Sequence, residues 1–354
     1  MITRFIDPDS VELAAAPGPL FARHDLLLVD LDGVVVLGDQ VIPGSAAALT
    51  TARSAGTKVV FVTNNASRPP LVVAEQLAGF GVDARPDEVM TSAVAAATVI
   101  AGRVPSGAPV LVIGGAGLRE ALFAAGLRPV TEAAADPVAV VQGFAPEVDW
   151  SMLAEGTVAI RAGIPWISTN SDPTLPSPRG PLPGNGALVA AVAAATGATP
   201  EVIGKPGPVL YDAARRAHGG DRPLAVGDRL DTDIAGAIAA GLPSLLVLSG
   251  VSSPLDLLAA PASARPSYLG RDLGAITMAH PSARVSDGVG RCGGFEASFD
   301  GARAVVRVSG DGQPGQDDLD GLRALAVLAW CQSAGGAFAR DSYEDALKGL
   351  NLNF

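Results

Sequence analysis

Short, wholly apolar segments alternate with helical patterns along most of this chain. Leu26–Val29 and Lys58–Val62 read LLLV and KVVFV, and such runs are typical of strands buried on both faces of a parallel sheet. Helices are predicted from residue 44 to Arg53 and over 70–77, and each ends near a glycine. Strand and helix in alternation predict an α/β fold with parallel strands and right-handed crossovers.

The alternation restarts near residue 103 and returns to its first style near residue 202. Strands are predicted in the middle stretch at Val110–Ile113, Val138–Val141 and Trp166–Ser168, and later at Leu224–Val226 and Leu245–Leu248. One domain inserted into another explains this order better than a linear series, since domain insertion is tolerated where chain ends lie close. We therefore predict a core of residues 20–102 and 202–280 and an inserted domain of residues 103–201.

The pattern changes again past residue 280. Phe295–Ser309 alternates like a hairpin around Asp300 and Gly301, and helices are predicted over Leu319–Cys331 and near Tyr343–Leu350. We predict a small α+β module of residues 285–354. Residues 1 to about 20 carry no such pattern and are predicted to be a loosely held leader.

Charge and cysteine content narrow the class of protein. A net charge of −11 argues against nucleic acid as a partner. The uncharged run Ile234–Val251 is broken by Gly241 and Pro243, which favours helix, turn and strand over a membrane span. Two distant cysteines, Cys292 and Cys331, and an N-terminus without an apolar signal segment favour a reducing, cytoplasmic location.

The first strand runs directly into two acidic residues and a glycine. Asp30 and Asp32 precede Gly33, which allows a tight turn beside them. Burying ionised carboxylates costs several kcal/mol each, roughly, unless a cation pairs with them. Oxygen ligands suit a hard divalent ion such as Mg²⁺. Taken alone, the stretch is also compatible with an ordinary strand-ending turn or a calcium loop.

Polar residues follow other predicted strands as well, and a lysine precedes a helix. If the strands are neighbours, the carboxyl ends of a parallel sheet bring such residues to one rim, where ligands bind. Each group alone has a simpler explanation as a turn, a solvated loop or a helix cap. Together they suit phosphoryl transfer, with one carboxylate as nucleophile, a second as general acid and base, and donors for the phosphoryl oxygens. The residues are Thr63, Asn64, Asn65, Lys205, Asp228, Asp231 and Asp233.

Four segments resemble, in order, the motifs of the haloacid dehalogenase-type phosphatases. The resemblance is to the branch with a large cap between the second and third motifs, as in p-nitrophenyl and phosphoglycolate phosphatases, and residues 168–197 are similar to the exit from that cap. It implies a Rossmann-like parallel-sheet core with an inserted α/β cap. The segments are DLDGV at 30–34, FVTNNASR at 61–68, IGKP at 203–206 and GDRLDTDI at 227–234.

The resemblance implies a role for the acidic residues. Asp30 would be the nucleophile and a Mg²⁺ ligand, and Asp32 the general acid and base whose backbone carbonyl also reaches the metal. Asp228 would be the third metal ligand. Asp233 would support these ligands from behind, and Asp231 is expected to be an exposed helix cap.

The resemblance also implies how the substrate is bound. Thr63 and Lys205 would hold the transferred phosphoryl group, with Asn64 and Asn65 beside them. A large cap encloses a small leaving group, and three residues of the cap exit are expected either to contact it or to hold a proline-rich loop together. These are Asn170, Asp172 and Arg179.

The whole layout resembles that of mycobacterial glycerol-3-phosphate phosphatase, including an acetyltransferase-like C-terminal module. The resemblance implies a Mg²⁺-dependent hydrolase of a small phosphomonoester, with glycerol 3-phosphate expected first and a role in recycling glycerophospholipid headgroups. Phosphoglycolate, pyridoxal phosphate and sugar phosphates stay open as substrates. A phosphomutase or phosphotransferase, a non-catalytic regulator and an acyltransferase acting through residues 285–354 are the alternatives.

Three minor features complete the sequence picture. Homo-oligomerisation is left open, and a regulatory or oligomerising role is expected for the C-terminal module rather than a second activity. GGAG at 114–117 is expected to pack a helix tightly rather than to bind phosphate. His218 and His280 are expected at loop positions rather than as ligands.

Overall fold

The structure is a computed structural model that describes residues 11–175, 179–309, 318–333 and 338–352. The described residues form two compact units. The first comprises the residues up to Val59 together with those from Gly219 on, and the second comprises Val60–His218. The bounds of these units do not coincide with those predicted for the core and the inserted domain.

The early part of the first unit supplies one buried strand and a short hairpin. All residues of the first strand are buried, as its apolar run predicts, and the hairpin strands β2 and β3 pair antiparallel directly after Gly33. The elements are α1 (Leu20–Arg23), β1 (Leu26–Val29), β2 (Val36–Leu37), β3 (Gln40–Val41), α2 (Ser45–Ser54) and β4 (Lys58–Thr63), which continues into the second unit.

The second unit contains two groups of parallel strands. Strand β4 pairs with β5, and a separate sheet has the order β12-β9-β8-β6-β7, so the predicted strands of the middle stretch are confirmed to within a residue or two. The elements are α3 (Pro70–Gly79), β5 (Val89–Thr91), α4 (Ser92–Ala101), β6 (Pro109–Ile113), α5 (Ala116–Ala124), β7 (Arg128–Val130), β8 (Ala139–Gln142), α6 (Trp150–Arg161), β9 (Trp166–Ser168), β10 (Thr174–Leu175), β11 (Leu182–Pro183), α7 (Asn185–Thr196), β12 (Glu201–Val202) and α8 (Val209–His218), with short 3-10 turns at Pro86–Glu88 and Ala133–Ala135.

The first unit resumes with further parallel strands and ends in an antiparallel sheet. Its parallel strands lie in the order β15-β14-β13-β1, and the antiparallel strands in the order β16-β17-β18-β19. The elements are β13 (Pro223–Gly227), a π-turn (Leu230–Ile234), α9 (Ala235–Ala239), β14 (Ser244–Val247), α10 (Pro254–Leu258), β15 (Tyr268–Gly270), β16 (Ala283–Ser286), β17 (Val289–Cys292), β18 (Phe295–Asp300), β19 (Arg303–Val308), α11 (Leu319–Ser333) and α12 (Asp341–Lys348), with 3-10 turns at Ala262–Ala264 and Leu273–Thr277. None of the helices in the described ranges is long and apolar enough to cross a membrane.

The C-terminal module shares its core with the parallel sheet of the first unit. Helix α11 is buried from Gly321 to Trp330, and its apolar side chains belong to one cluster with Leu257 and Leu269. The Trp330 Nε1 donates a hydrogen bond of 2.8 Å to the Leu257 carbonyl. The predicted hairpin is confirmed as β18 and β19, whereas β16 and β17 have no counterpart in the prediction.

The prediction of a loosely held leader is wrong for residues 11–19, while residues 1–10 lie outside the described part. Leu13 and Ala16 are 1% and 0% exposed. The Leu13 amide donates to the Ala283 carbonyl at 2.9 Å and the Ala16 amide to the His280 carbonyl at 2.8 Å. The leader therefore pairs with the edge of β16, because an uncovered strand edge leaves backbone donors and acceptors unsatisfied.

Acidification should destabilise the first unit through His24. Its ring is 8% exposed and its Nδ1 lies 3.2 Å from the Arg222 carbonyl, and burial lowers the pKa of His24 from 6.5 to about 4. The unfolded chain therefore binds the proton more readily than the folded protein. The contribution of His24 to the free energy of unfolding is fully present above pH ~6.5 and falls by about 3 kcal/mol as the pH drops to ~4. We expect the melting temperature to fall across this window.

An asparagine at position 24 removes the titrating ring and serves as the control. The His24→Asn variant should lose less stability between pH 6.5 and 4, retaining the part that comes from His280, whose pKa is also lowered by burial. Parallel pH profiles for the two proteins would contradict the assignment.

Candidate active site

Three carboxylates converge at the carboxyl ends of two neighbouring strands in the first unit. Strands β1 and β13 pair in parallel with Val29 opposite Val226, and the Asp30 amide donates to the Val226 carbonyl at 2.9 Å. Asp30 follows β1 and Asp228 follows β13, while Asp233 lies in the π-turn. One ligand atom from each of the three lies within 4.8 Å of the others.

This carboxylate cluster calls for a cation. Asp228 and Asp233 are each 1% exposed and Asp30 is half-buried. Ionised carboxylates this close repel one another, and burial removes the water that would screen them. A divalent cation with oxygen ligands removes both costs, so the donor set fits Mg²⁺. The geometry thus brings together Asp30 and Asp228, the two side chains predicted as metal ligands, with Asp233 beside them.

The backbone closes tightly around Asp228. The Val251 amide donates to Asp228 Oδ2 at 2.7 Å, and a Cβ at either Gly33 or Gly250 would overlap that oxygen. Gly33 also has a φ of +81°, in the left-handed region that favours glycine. Sequence reasoning missed Gly250 and Val251, although their place just after the apolar stretch Leu245–Leu248 marks the carboxyl end of a parallel strand.

Asp233 and Asp231 have different partners although they lie two residues apart. Asp233 Oδ2 accepts the Arg229 amide at 3.0 Å, which holds the π-turn together. Asp231 is exposed, as expected, but its carboxylate pairs with the Arg229 guanidinium at 2.8 Å. That pairing lowers the pKa of Asp231. Both residues lie in the π-turn, and α9 begins only at Ala235.

Asp32 lies in the tight loop between β1 and β2 and is exposed. The Val36 amide donates to the Leu31 carbonyl at 3.0 Å and the Gly33 amide to the Val36 carbonyl at 2.7 Å, which fixes the loop. Asp32 is not one of the side chains of the carboxylate cluster. This position is compatible with the predicted roles, a backbone carbonyl for the metal and a solvent-accessible carboxyl for proton transfer.

In the second unit, the loop after β4 is ordered by its own side chains. Thr63 is 4% exposed, and its Oγ1 accepts the Asn65 amide at 3.1 Å. Asn65 Oδ1 in turn accepts the Ser67 amide and hydroxyl, both at 2.8 Å. These short-range bonds form a compact turn of the kind that asparagine and threonine favour.

Lys205 is buried against the same strand. It is 2% exposed, and its Nζ donates to the Val62 carbonyl at 3.1 Å. The Asn64 side chain contacts the backbone of Lys205, so two of the residues predicted to bind phosphate are joined to each other. The structure thus brings Thr63, Asn64, Asn65 and Lys205 together in the second unit.

Two of the three cap-exit residues lie beside this group. The Asn170 Nδ2 donates to the Asn64 carbonyl at 2.8 Å, and Asp172 Oδ2 accepts from Asn64 Nδ2 at 3.2 Å. Asn170 is 5% exposed and Asp172 half-buried, whereas Arg179 is exposed. Asn170 therefore has a structural part in this loop, and Ser92, which donates to the Asn64 carbonyl at 2.6 Å, is a partner that the sequence analysis missed.

The remaining sequence features have structural explanations. Gly117 packs against the 66–68 loop, where a Cβ would overlap backbone atoms, so GGAG packs a helix tightly as expected. His218 is the last residue of α8 rather than a loop residue. His280 is buried, with its Nε2 2.9 Å from the Ala275 carbonyl.

Comparison with known families agrees with the fold and the motifs. The model of the haloacid dehalogenase-like hydrolase family matches residues 27–128, and an HAD-hydrolase-like model matches residues 202–276. A model described as a GCN5-related N-acetyltransferase like domain matches residues 292–352. The acetyltransferase-like resemblance of the C-terminal module therefore has independent support.

Two of the similar proteins are phosphatases. The D-glycerol 3-phosphate phosphatase of Mycobacterium tuberculosis is 45% identical over 87% of this chain and 86% of its own length. The acid sugar phosphatase of Staphylococcus aureus is 38% identical over 66% of this chain and 90% of its own.

Solved structures extend the similarity to the fold. A glycerol phosphate phosphatase of Mycobacterium tuberculosis in complex with calcium has a TM-score of 0.83 at 40% identity and covers 95% of this chain and 99% of its own. The same protein in complex with magnesium has a TM-score of 0.81, over 95% of this chain and 100% of its own. The chain belongs to the haloacid dehalogenase-like hydrolase family.

Proposed function

We propose that the chain is a Mg²⁺-dependent phosphomonoesterase that acts on a small phosphorylated metabolite, with glycerol 3-phosphate as the first candidate. The observation that carries the proposal is the carboxylate cluster of Asp30, Asp228 and Asp233 at the ends of β1 and β13. Family membership and the 45% identity to a D-glycerol 3-phosphate phosphatase support it.

In the proposed reaction Asp30 is the nucleophile. Its carboxylate attacks phosphorus and forms an aspartyl-phosphate while the bond from phosphorus to the leaving oxygen breaks. Asp32 donates its proton to that oxygen. Asp32 then removes a proton from water, the water oxygen attacks phosphorus, and the Asp30 carboxylate is released with inorganic phosphate. The exposed position of Asp32 suits proton exchange with solvent.

The metal would be held by Asp30, Asp228 and the Asp32 carbonyl. When bound, Mg²⁺ supplies positive charge that offsets the carboxylates and the phosphoryl oxygens. The clustering of the ligand atoms within 4.8 Å fits such an ion. Asp233, held by the Arg229 amide, supports the ligands from behind.

The phosphoryl oxygens would be bound by residues of the second unit. Thr63 and Lys205 are proposed to donate to them, with Asn65 beside them. The burial of Thr63 and Lys205 supports this role, because a buried ammonium group is stabilised by a negative charge such as that of a phosphoryl group. The proposed reaction requires these residues and the carboxylate cluster to act on one phosphoryl group.

The alcohol part of the substrate is the least determined. Asp172 and Arg179 are proposed to contact hydroxyl groups of the leaving group. The 38% identity to an acid sugar phosphatase favours a sugar phosphate as the second candidate. Phosphoglycolate and pyridoxal phosphate remain further candidates, and a cytoplasmic location and homo-oligomerisation stay predictions.

A phosphate-release screen with Mg²⁺ tests the proposal. The panel contains both enantiomers of glycerol 3-phosphate, sugar phosphates, phosphoglycolate, pyridoxal phosphate and p-nitrophenyl phosphate. We expect glycerol 3-phosphate to give the highest kcat/KM, and removal of Mg²⁺ by a chelator to stop release. No hydrolysis of any member would overturn the proposal, and a sugar phosphate as the best substrate would overturn the choice of glycerol 3-phosphate.

Adding one methyl group beside Asp228 should weaken metal binding. In the Gly250→Ala variant the new Cβ overlaps Asp228 Oδ2, so the carboxylate must rotate away from the cluster. We expect the dissociation constant for Mg²⁺, measured by calorimetry, to rise by about tenfold or more, as for other changes in ligand orientation. Gly18→Ala, where a Cβ meets nothing within 4 Å, is the matched control and should bind as the wild type does. Unaltered affinity in Gly250→Ala would contradict the ligand assignment.

A further inference from the structure

The side chain of Asn64 forms two hydrogen bonds with the backbone of Lys205, which lies far along the chain. The Lys205 amide donates to Asn64 Oδ1 at 2.9 Å, and Asn64 Nδ2 donates to the Lys205 carbonyl at 3.1 Å. The two bonds fix the orientation of the amide, because a flipped side chain would place two donors and two acceptors against each other. The Asn64 side chain is therefore hydrogen-bonded to the peptide groups on both sides of the Lys205 Cα.

The residue before Lys205 is shaped by this contact. A Cβ at Gly204 would lie 2.6 Å from Asn64 Oδ1 and 2.5 Å from the Thr169 carbonyl. Both distances are shorter than real Cβ contacts, so only glycine allows the loop to approach the amide this closely. The glycine of the segment IGKP thus has an explanation in the position of Asn64.

Lys205 is held at its tip as well as at its backbone. Its Nζ donates to the Val62 carbonyl at 3.1 Å, two residues before Asn64. The backbone and the ammonium group of Lys205 are therefore both hydrogen-bonded to residues at the end of β4. A long side chain loses rotamer freedom when it is fixed, and a preorganised backbone reduces the range of positions that the Lys205 ammonium can take.

Asn64 is itself anchored by its own carbonyl. That carbonyl accepts from Ser92 Oγ at 2.6 Å and from Asn170 Nδ2 at 2.8 Å. The Asn170 carbonyl in turn accepts from Asn185 Nδ2 at 2.7 Å. Ser92, Asn170 and Asn185 are at most 5% exposed, so the anchor is buried.

We infer that Asn64 is a positioning residue for Lys205 and that its side chain does not bind the phosphoryl group. An asparagine amide has two N–H donors, and these go to the Lys205 carbonyl and to Asp172 Oδ2, the latter at 3.2 Å. No side-chain donor remains for a phosphoryl oxygen. This inference rests on the proposed function for its catalytic meaning and replaces the phosphate contact expected for Asn64 from the sequence.

A double-mutant cycle separates positioning from direct binding. If Asn64 acts only through Lys205, then Asn64→Ala should lower kcat/KM in the wild-type background and cause no further loss in a Lys205→Ala background. If Asn64 binds phosphate itself, the two losses should multiply. Asn185→Ala removes a more distant bond of the same network, the one to the Asn170 carbonyl, so any loss it causes should also disappear in the Lys205→Ala background. Multiplying losses for Asn64 and Lys205 would overturn the inference.

A second measurement does not depend on activity. The chain contains three lysines, Lys58, Lys205 and Lys348, so lysine-selective NMR gives a spectrum that single substitutions assign. Asn64→Ala should shift or broaden the Lys205 signal and leave those of Lys58 and Lys348 in place. A Lys205 signal that stays unchanged would refute the positioning role of Asn64. If the signal moves in a protein that hydrolyses no phosphomonoester, the positioning of Lys205 by Asn64 holds and the proposed function fails.

Discussion

The Asp30→Asn variant is expected to lose phosphate release by about 10⁴-fold or more, as when a covalent nucleophile is removed. An amide is a poor nucleophile and carries no charge for the metal, so both proposed roles of Asp30 fail together. The measurement is kcat for the best substrate with saturating Mg²⁺. The fold should persist, because removing one charge from the carboxylate cluster relieves repulsion among Asp30, Asp228 and Asp233.

Asp231→Asn is the matched control for this prediction. Asp231 lies at the end of the same sheet, but it is exposed and paired with Arg229, so its variant should keep nearly full activity. Circular dichroism and the melting temperature show whether each variant is folded. Turnover by a folded Asp30→Asn protein at the wild-type rate would refute the nucleophile assignment.

Removal of the C-terminal module is expected to unfold the first unit. A chain that ends before Ala283 lacks helix α11, and its absence exposes apolar side chains such as Leu257 and Leu269 that belong to the same core cluster. It also frees the leader residue Leu13 from its partner in β16. We expect the shortened protein to aggregate or to lack a cooperative melting transition, measured by differential scanning calorimetry.

A point substitution tests the same idea more gently. Trp330→Ala leaves a cavity and breaks the bond to the Leu257 carbonyl, which should cost about 3–5 kcal/mol of unfolding free energy. Cys331→Ser changes the next residue, which is exposed, and should cost almost nothing. A soluble shortened protein with the melting temperature of the full chain would show that the module is dispensable for stability.

Local sequence patterns predict the elements whose burial is complete. The run from Leu26 to Val29 predicts a buried strand. Asp30 follows it directly, at the carboxyl end of the strand, where parallel sheets bind their ligands. The pairing of β1 with β13 has no local signal, and the sequence left open whether these two strands are neighbours. The α/β class and the C-terminal hairpin could thus be predicted from the sequence.

The features that the sequence does not reveal depend on partners distant along the chain. From the sequence, Leu13 is expected in a loosely held leader, whereas in the structure its backbone pairs with that of Ala283. From the sequence, Asn64 is expected to bind phosphate, whereas in the structure its side-chain amide is hydrogen-bonded to the Lys205 backbone. The π-turn at Leu230–Ile234 has no signal in periodicity, since it arises from the tight approach of Asp233 to Gly227 and Arg229.

The discontinuous build of the first unit has a consequence for synthesis on the ribosome. Residues of the second unit are contiguous, so they can complete their native contacts while translation is still under way. Strand β1 emerges early but waits for β13, since Leu26 pairs with Pro223. The leader waits longer still, until Ala283 has left the exit tunnel. Nascent chains therefore leave the β13 edge of strand β1 unpaired for most of elongation, and exposed strand edges make such intermediates prone to aggregation.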